Sequence, residues 1–270
     1  MTTVREVITA LEKRYPPALA ADWDAIGLVC GRLDAPVSSV LFAVDPVLAV
    51  VREAHDVGAN LIVAHHPLFL HGVNSVAADS AGGRVVHELI EQGIALFTAH
   101  TNADHARPGV SDALAERLGL IDVRPIDPIP GNPDCGTGRA GRLAQPMSLG
   151  AFADLVLTAL PKTSAGITVA GGLDARIESV GVCGGAGDSL LPLVHDLDVY
   201  VTSDLRHHRA QEHREHSDRA LINVPHWSSE WPWLQVAADQ LHKDLLVQGS
   251  TVDIYVSTIV TDPWTWQTGG

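Results

Sequence analysis

Cysteine is scarce in this chain of 270 residues, which contains only three. Cys30, Cys135 and Cys183 lie far apart, and no two of them form a CxxC pair. This number and spacing indicate neither a thiolate zinc site nor a disulfide framework. We therefore expect each cysteine to be a small buried residue in a reducing compartment.

Positive charge is also scarce, since 18 Lys and Arg residues face 32 Asp and Glu residues and give a formal net charge of −14. A surface this negative repels phosphate backbones and anionic lipids, so we expect no direct nucleic-acid binding and no membrane binding. No apolar run approaches the roughly 20 residues of a membrane-spanning helix, and the N-terminal residues lack the apolar core of a signal peptide. The sequence therefore predicts a cytoplasmic protein.

Hydrophobic residues make up 46% of the chain, which is enough for a substantial core. Short apolar runs at 39–44, 61–64 and 94–99 predict buried strands, with helical patterns between them. Several prolines and glycines at 125–141 predict a linker or irregular loop, after which strand and helix patterns resume. This organisation predicts an α/β fold with two α/β domains and mixed or parallel sheets.

Polar residues follow two of these predicted strands directly. His65 and His66 follow the strand at 61–64, and His100 to Asp104 follow the next strand. Ligands bind outside the carboxyl ends of parallel strands, and histidine is the commonest metal ligand. His65 and His66 point to opposite sides, so they could serve two metals, or one could be structural. Asp104 could bridge two cations or cap a helix.

A third cluster follows the predicted strand at 221–224. His226 and Glu230 are four residues apart, which puts them on one face of a helix, although a loop histidine and a first-turn glutamate are the alternative. The nitrogen and oxygen donors of all three clusters suit Zn²⁺, Fe²⁺, Mn²⁺ or Co²⁺. Five protein ligands are too many for one catalytic zinc with an open position, so we predict two divalent ions. The predicted metal ligands are His65, His66, Asp104, His226 and Glu230.

Other residues are candidates for supporting roles. His100 and His208 are the predicted catalytic residues for proton transfer, although His100 could instead support a ligand through a hydrogen bond. The glycine-rich stretch at 181–187 could bind phosphate through backbone N–H groups or form a tight turn. Asp204 could cap a helix, and we expect the histidines within predicted helices, including His213, at the surface.

Taken in order, these motifs resemble the NGG-interacting-factor-three-like family, whose bacterial members carry the name GTP cyclohydrolase type 2 homolog. The resemblance runs nearly end to end and rests on Asp22-Trp23-Asp24 with Gly27-Leu28, His65-His66-Pro67-Leu68, His100-Thr101-Asn102 with Asp104, Gly184 to Gly187, Thr202 to Asp204 with His208, and His226 with Glu230. The chain departs from the family at Ala25, where Asn is usual, and at Ser203, where Gly is usual. His207 takes a position that is often aromatic.

The resemblance implies a discontinuous first domain, at 1–125 and 225–270, and a second domain at 126–224. It implies a dinuclear metal site in the cleft between the domains and a ring-shaped homohexamer. In the family's ligand set, His66 and Asp104 would hold one ion, His65 and His226 the other, and Glu230 both.

The activity implied by the resemblance is that of a metal-dependent hydrolase acting on a small molecule, namely GTP or a related purine nucleotide. Two alternatives from other functional classes stay open. One is a non-catalytic metal-binding or metal-delivery protein, and the other is an interaction protein whose metals only stabilise the fold.

Overall fold

The computed structural model describes residues 1–268, which form eight α-helices and eleven β-strands. The helices are α1 (Val4–Arg14), α2 (Leu48–Asp56), α3 (Ala81–Gln92), α4 (Thr101–His105), α5 (Val110–Arg117), α6 (Leu149–Ala159), α7 (His207–Ser217) and α8 (His226–Val247). The strands are β1 (Gly27–Cys30), β2 (Ser39–Ala43), β3 (Leu61–Ala64), β4 (Ala95–Thr98), β5 (Leu120–Ile129), β6 (Asn132–Ser148), β7 (Thr168–Ala170), β8 (Arg176–Ala186), β9 (Val199–Ser203), β10 (Ala220–Val224) and β11 (Asp253–Val256).

The chain divides into two compact units. The first comprises Met1–Ala106 and Leu234–Thr261, and the second comprises Arg107–Trp233 and the segment from Asp262 onward. The first unit is therefore discontinuous. Its limits fall at 106 and within α8, whereas the family resemblance implies domain boundaries at 125 and 225. A domain is a part of the chain that folds independently, so these domain boundaries stay a prediction.

The first unit is built on a five-stranded mixed sheet in the order β1-β4-β3-β2-β11. The pairings from β4 to β11 are parallel, and β1 pairs antiparallel with β4. Strands β2, β3 and β4 are buried along their whole length, as expected of parallel strands covered on both faces. Val51 of α2 and Leu89 of α3 belong to the core that these strands form.

The second unit is built on a six-stranded mixed sheet in the order β5-β6-β8-β9-β10-β7. The central strands β8, β9 and β10 are parallel, and the outer pairings are antiparallel. Leu114 of α5 and Phe152 of α6 pack in one core cluster with Val180 and Val201 of the sheet. The predicted α/β class with mixed sheets is confirmed in both units.

The predicted linker at 125–141 is wrong. These residues lie in β5 and β6, which form a long antiparallel pair joined at Gly131, whose φ of 81° suits a tight turn. Pro125 and Pro128 lie on β5, which is the edge strand of its sheet. An edge strand has a neighbour on one side only, so it tolerates a residue without a backbone N–H.

Two smaller predictions also need correction. His213, predicted at the surface, is 3% exposed. Among the cysteines only Cys183 is buried, and the other two are half-buried. Across the described part of the chain, no helix combines the length and apolar character that membrane crossing requires.

Candidate metal centre

His65 and His66 are positioned by the end of β3. Their backbone N–H groups donate to Ala43 and Val44, which extends the pairing with the neighbouring strand beyond Ala64. The buried His65 ring places Nδ1 3.0 Å from the carbonyl oxygen of Ala99. A carbonyl oxygen only accepts, so Nδ1 carries the hydrogen and Nε2 carries the lone pair of the neutral ring.

The His66 ring is oriented in the same way by a carboxylate. Its Nδ1 lies 2.7 Å from Oδ1 of Asp45, two residues beyond the end of β2. The hydroxyl of Thr261 donates to the other oxygen of Asp45, which holds that carboxylate in place. As in His65, the lone pair of the neutral His66 ring is therefore on Nε2.

His100 is held by Asp24, whose side chain is fully buried. Nδ1 of His100 lies 2.8 Å from Oδ1 of Asp24, and the backbone and hydroxyl of Thr101 donate to Oδ2. Burial raises the pKa of Asp24, but these hydrogen bonds outweigh it and the pKa lies below its ordinary value. Burial, reinforced by the neighbouring His65, lowers the pKa of His100 and favours the neutral ring.

The three imidazoles converge within the first unit. Their ring centroids are 5.1 Å apart for His65 and His66, 5.2 Å for His65 and His100, and 5.7 Å for His66 and His100. One ring nitrogen from each lies within 4.8 Å of the others. Asp104, on α4, places Oδ1 3.7 Å from Nε2 of His65. Imidazole nitrogens beside a carboxylate are donors that fit a first-row divalent ion.

The second unit presents the remaining two predicted ligands. His226 is the first residue of α8, and its Nδ1 lies 2.6 Å from Oδ2 of Asp204. One turn later, Oε1 of the buried Glu230 lies 2.9 Å from Nε2 of His226. Two acceptor atoms this close need a proton or a cation beside both of them. Their spacing suits two ligands of one ion, each about 2.1 Å from the metal.

The glycine-rich stretch shapes this pair rather than offering N–H groups to phosphate. The N–H of Gly184 donates to Ser111 Oγ at 3.2 Å, and that of Gly185 donates to Ser229 Oγ at 2.9 Å. Gly185 has a φ of 69°, and a Cβ built there would overlap Oε1 of Glu230. The close-packing interpretation of this stretch is therefore favoured over phosphate binding.

His208 is exposed at the second position of α7. Its ring contacts that of His207 in an edge-on arrangement, with centroids 5.1 Å apart. Within the described residues, the structure does not join His208 to His226 or Glu230 by a hydrogen bond or ring contact. Its role in proton transfer stays a prediction.

The aspartates that orient the histidines were not predicted from the sequence. Asp45 lies just beyond β2, and Asp204 follows β9 directly, so the rule that identified the ligands at strand ends also applies to them. Asp204 was considered only as a helix cap, whereas its carboxylate accepts from His226. Asp24 lies in a loop before β1, where no strand end indicates its role.

The comparisons with known proteins agree with this architecture. The sequence model of the family described as Duf34/NIF3 (NGG1p interacting factor 3) matches residues 2–263. A Streptomyces coelicolor protein called GTP cyclohydrolase 1 type 2 homolog is 48% identical over 269 residues, which cover 98% of this chain and 94% of that protein. A Clostridium perfringens protein of the same name is 28% identical, with 97% and 98% covered.

Solved structures show the same fold. A Bacillus cereus protein described as related to NIF3 superposes with a TM-score of 0.91 at 25% identity, covering 98% of this chain and 99% of that one. A Staphylococcus aureus protein superposes with a TM-score of 0.90 at 27% identity and the same coverage. The similarity therefore extends over both units.

Proposed function

Because the chain belongs to the Duf34/NIF3 family, we propose that it is a dinuclear metal-dependent hydrolase acting on a purine nucleotide such as GTP. The observation that carries the proposal is shared by all three predicted histidine ligands. In His65, His66 and His226, Nδ1 lies within 3.0 Å of an oxygen acceptor, so Nε2 carries the lone pair. Metal-ligating histidines have this hydrogen-bonding arrangement. The name of the relatives supports the substrate class.

The ligand assignment follows the family resemblance. In this proposal His66 and Asp104 would hold one ion, His65 and His226 would hold the other, and Glu230 would serve both. The bound ions would supply Lewis-acid polarisation and a lowered pKa of water. The nitrogen and oxygen donors admit zinc, iron, manganese or cobalt, and metal availability selects among them.

Proton transfer is assigned to His100 and His208. Asp24 fixes the hydrogen of His100 on Nδ1, so Nε2 is the atom that accepts a proton from an attacking water. The lowered pKa of His100 keeps the ring neutral and available as a base near neutral pH. His208, exposed on α7, would return a proton to the leaving group.

The proposal is tested by measuring formate release from GTP, alongside a screen of nucleotides and phosphoesters, with protein loaded with each metal in turn. Glu230→Ala is the control because it removes the predicted bridging carboxylate. Turnover by the wild type above this control supports the hydrolase. Metal binding without turnover of any substrate contradicts it and favours the metal-delivery alternative.

We further propose that the protein works as a homohexamer in the cytoplasm. The assembly rests on the family resemblance, and the location rests on the small number and wide spacing of the cysteines, which indicate a reducing compartment. Light scattering coupled to size-exclusion chromatography measures the mass in solution. A mass of one chain at micromolar concentration would contradict the hexamer.

A further inference from the structure

Trp23 combines solvent exposure with a position beside the candidate metal centre. Trp227 and Trp233 are buried, with 5% and 0% exposure, and the other exposed tryptophans, Trp264 and Trp266, belong to the second unit. Trp23 is 60% exposed, and its ring contacts the His100 ring edge-on, with centroids 6.1 Å apart and an interplanar angle of 78°. A large aromatic surface therefore faces solvent next to a ring of the histidine cluster.

The loop that carries Trp23 is held in place on both sides of it. Asp24 accepts hydrogen bonds from the backbone N–H and the hydroxyl of Thr101, at 2.9 and 2.5 Å, and from His100. The N–H of Ala21 donates to the Thr101 hydroxyl at 2.9 Å, and the N–H of Asp24 donates to the carbonyl of Ala21. The indole is thus presented on a preorganised loop, which reduces the entropy lost when a ligand binds.

We propose that Trp23 is a stacking platform for the planar aromatic ring of the ligand, and this proposal rests on the proposed hydrolase function. A ring stacked on the indole lies next to His100, whose own ring contacts those of His65 and His66.

If a base stacks on Trp23, the affinity depends in a predictable way on the ligand and on the side chain at this position. Every nucleobase has a π-face, so removing the platform weakens guanine and adenine ligands to a similar degree. Phenylalanine retains an aromatic face, whereas leucine retains only apolar bulk. The phosphate and ribose do not stack, so a ligand without a base is unaffected.

The experiment titrates GMP, AMP and ribose 5-phosphate into the metal-loaded, full-length protein by calorimetry. The variants are Trp23→Leu and Trp23→Phe, with Trp264→Leu as the matched control, because Trp264 is 68% exposed and belongs to the other unit. We expect Trp23→Leu to raise the Kd of both GMP and AMP by about ten-fold or more, and Trp23→Phe to raise it by less than about three-fold. The Kd of ribose 5-phosphate and all three Kd values of Trp264→Leu should match the wild type.

Several results would overturn the proposal. These are an unchanged GMP affinity in Trp23→Leu, an equal loss for ribose 5-phosphate, or a wild type that binds GMP no better than ribose 5-phosphate. A change in assembly mass caused by Trp23→Leu alone would instead assign Trp23 to a subunit interface. Turnover with an unaltered KM in Trp23→Leu would refute the platform and leave the hydrolase standing. Base-dependent binding without turnover would support the stacking platform and refute the hydrolase.

Discussion

Asp204 accepts a hydrogen bond from His226, with Oδ2 2.6 Å from Nδ1, and this contact determines which nitrogen of His226 faces Glu230. Asp204 adopts a φ of 55° directly after β9, in the left-handed region that a non-glycine residue adopts at a cost. This backbone conformation costs energy, and it directs the Asp204 carboxylate at a predicted metal ligand. We infer that Asp204 positions His226.

Removing this carboxylate should weaken metal binding without unfolding the protein. We expect Asp204→Ala to lower metal affinity by about 10- to 100-fold, as loss of such orienting partners does in metal sites. Competition with a chromophoric chelator measures the affinity. Asp218→Ala is the matched control, since Asp218 is also left-handed but pairs with Arg214. Equal losses in the two variants would show that the effect is not specific to His226.

Gly185→Ala should disturb the same pair from the other side. The new methyl would overlap Oε1 of Glu230, and alanine in a left-handed conformation also costs about 1–2 kcal/mol. Gly131→Ala carries the backbone cost alone, because Gly131 has a φ of 81° and open space around it. Elemental analysis should find metal lost from Gly185→Ala and retained in Gly131→Ala. Full metal content in both would contradict the packing argument.

The buried ion pair between Arg139 and Asp112 should be essential to the second unit. The Arg139 side chain is fully buried, and its guanidinium contacts both carboxylate oxygens of Asp112, at 2.8 and 2.7 Å. Arg139→Met leaves that carboxylate without its cation, so we expect the free energy of unfolding to fall by about 3–5 kcal/mol. Urea denaturation measures the change.

Arg142→Met is the control for this prediction on the same strand. Arg142 pairs with Asp122 at the surface, where both side chains are about half exposed or more, so the expected loss is about 0–1 kcal/mol. Similar losses in Arg139→Met and Arg142→Met would show that burial does not determine the contribution of the pair.

His213 should make the protein less stable in mild acid. Burial, and then the stacked His195 ring 5.3 Å away, lower the pKa of His213 in the folded state. The unfolded chain, with a histidine pKa of about 6.5, therefore takes up the proton first as the pH falls. The free energy of unfolding should decrease below that pH until the folded-state pKa is passed.

This titration is tested by comparing unfolding free energies between pH 7 and pH 5. The decline should be shallower in His213→Gln than in the wild type, because the variant removes the titrating ring. Gln211→Ala, on the exposed side of α7, should keep the wild-type slope. Identical slopes in all three proteins would rule out His213 as the source.

Much of the fold could be predicted because the buried parallel strands are short, apolar and β-branched. The strands β2, β3 and β4 were predicted for that reason, and the residues at their ends followed from the geometry of parallel sheets. The prediction failed at β5 and β6, where prolines and glycines that usually mark loops occur in an edge strand, in the turn after it and in the strand paired with it. Composition alone does not distinguish a loop from such a pair of strands.

Only part of the candidate site could be predicted, namely the residues at the ends of recognisable strands. His65, His66 and His100 converge because they follow two neighbouring parallel strands, whose carboxyl ends meet at one sheet edge. Both strands are recognisable in the sequence. The aspartates that fix each ring were not identified, because a hydrogen bond to Nδ1 depends on side-chain direction. The buried environment of His213 was missed because α7 is highly polar, and its one buried face is not evident from the sequence.

The prolines of β5 have a consequence for behaviour at high concentration. An exposed sheet edge is a template onto which strands from other molecules can add, and such addition leads to aggregation. Pro125 and Pro128 are three residues apart in unbroken register, so one of them lacks the N–H group that would face an incoming strand. The residues that made this segment resemble a loop thus make the edge a poor acceptor of further strands, and Pro→Val changes there should promote ordered self-association.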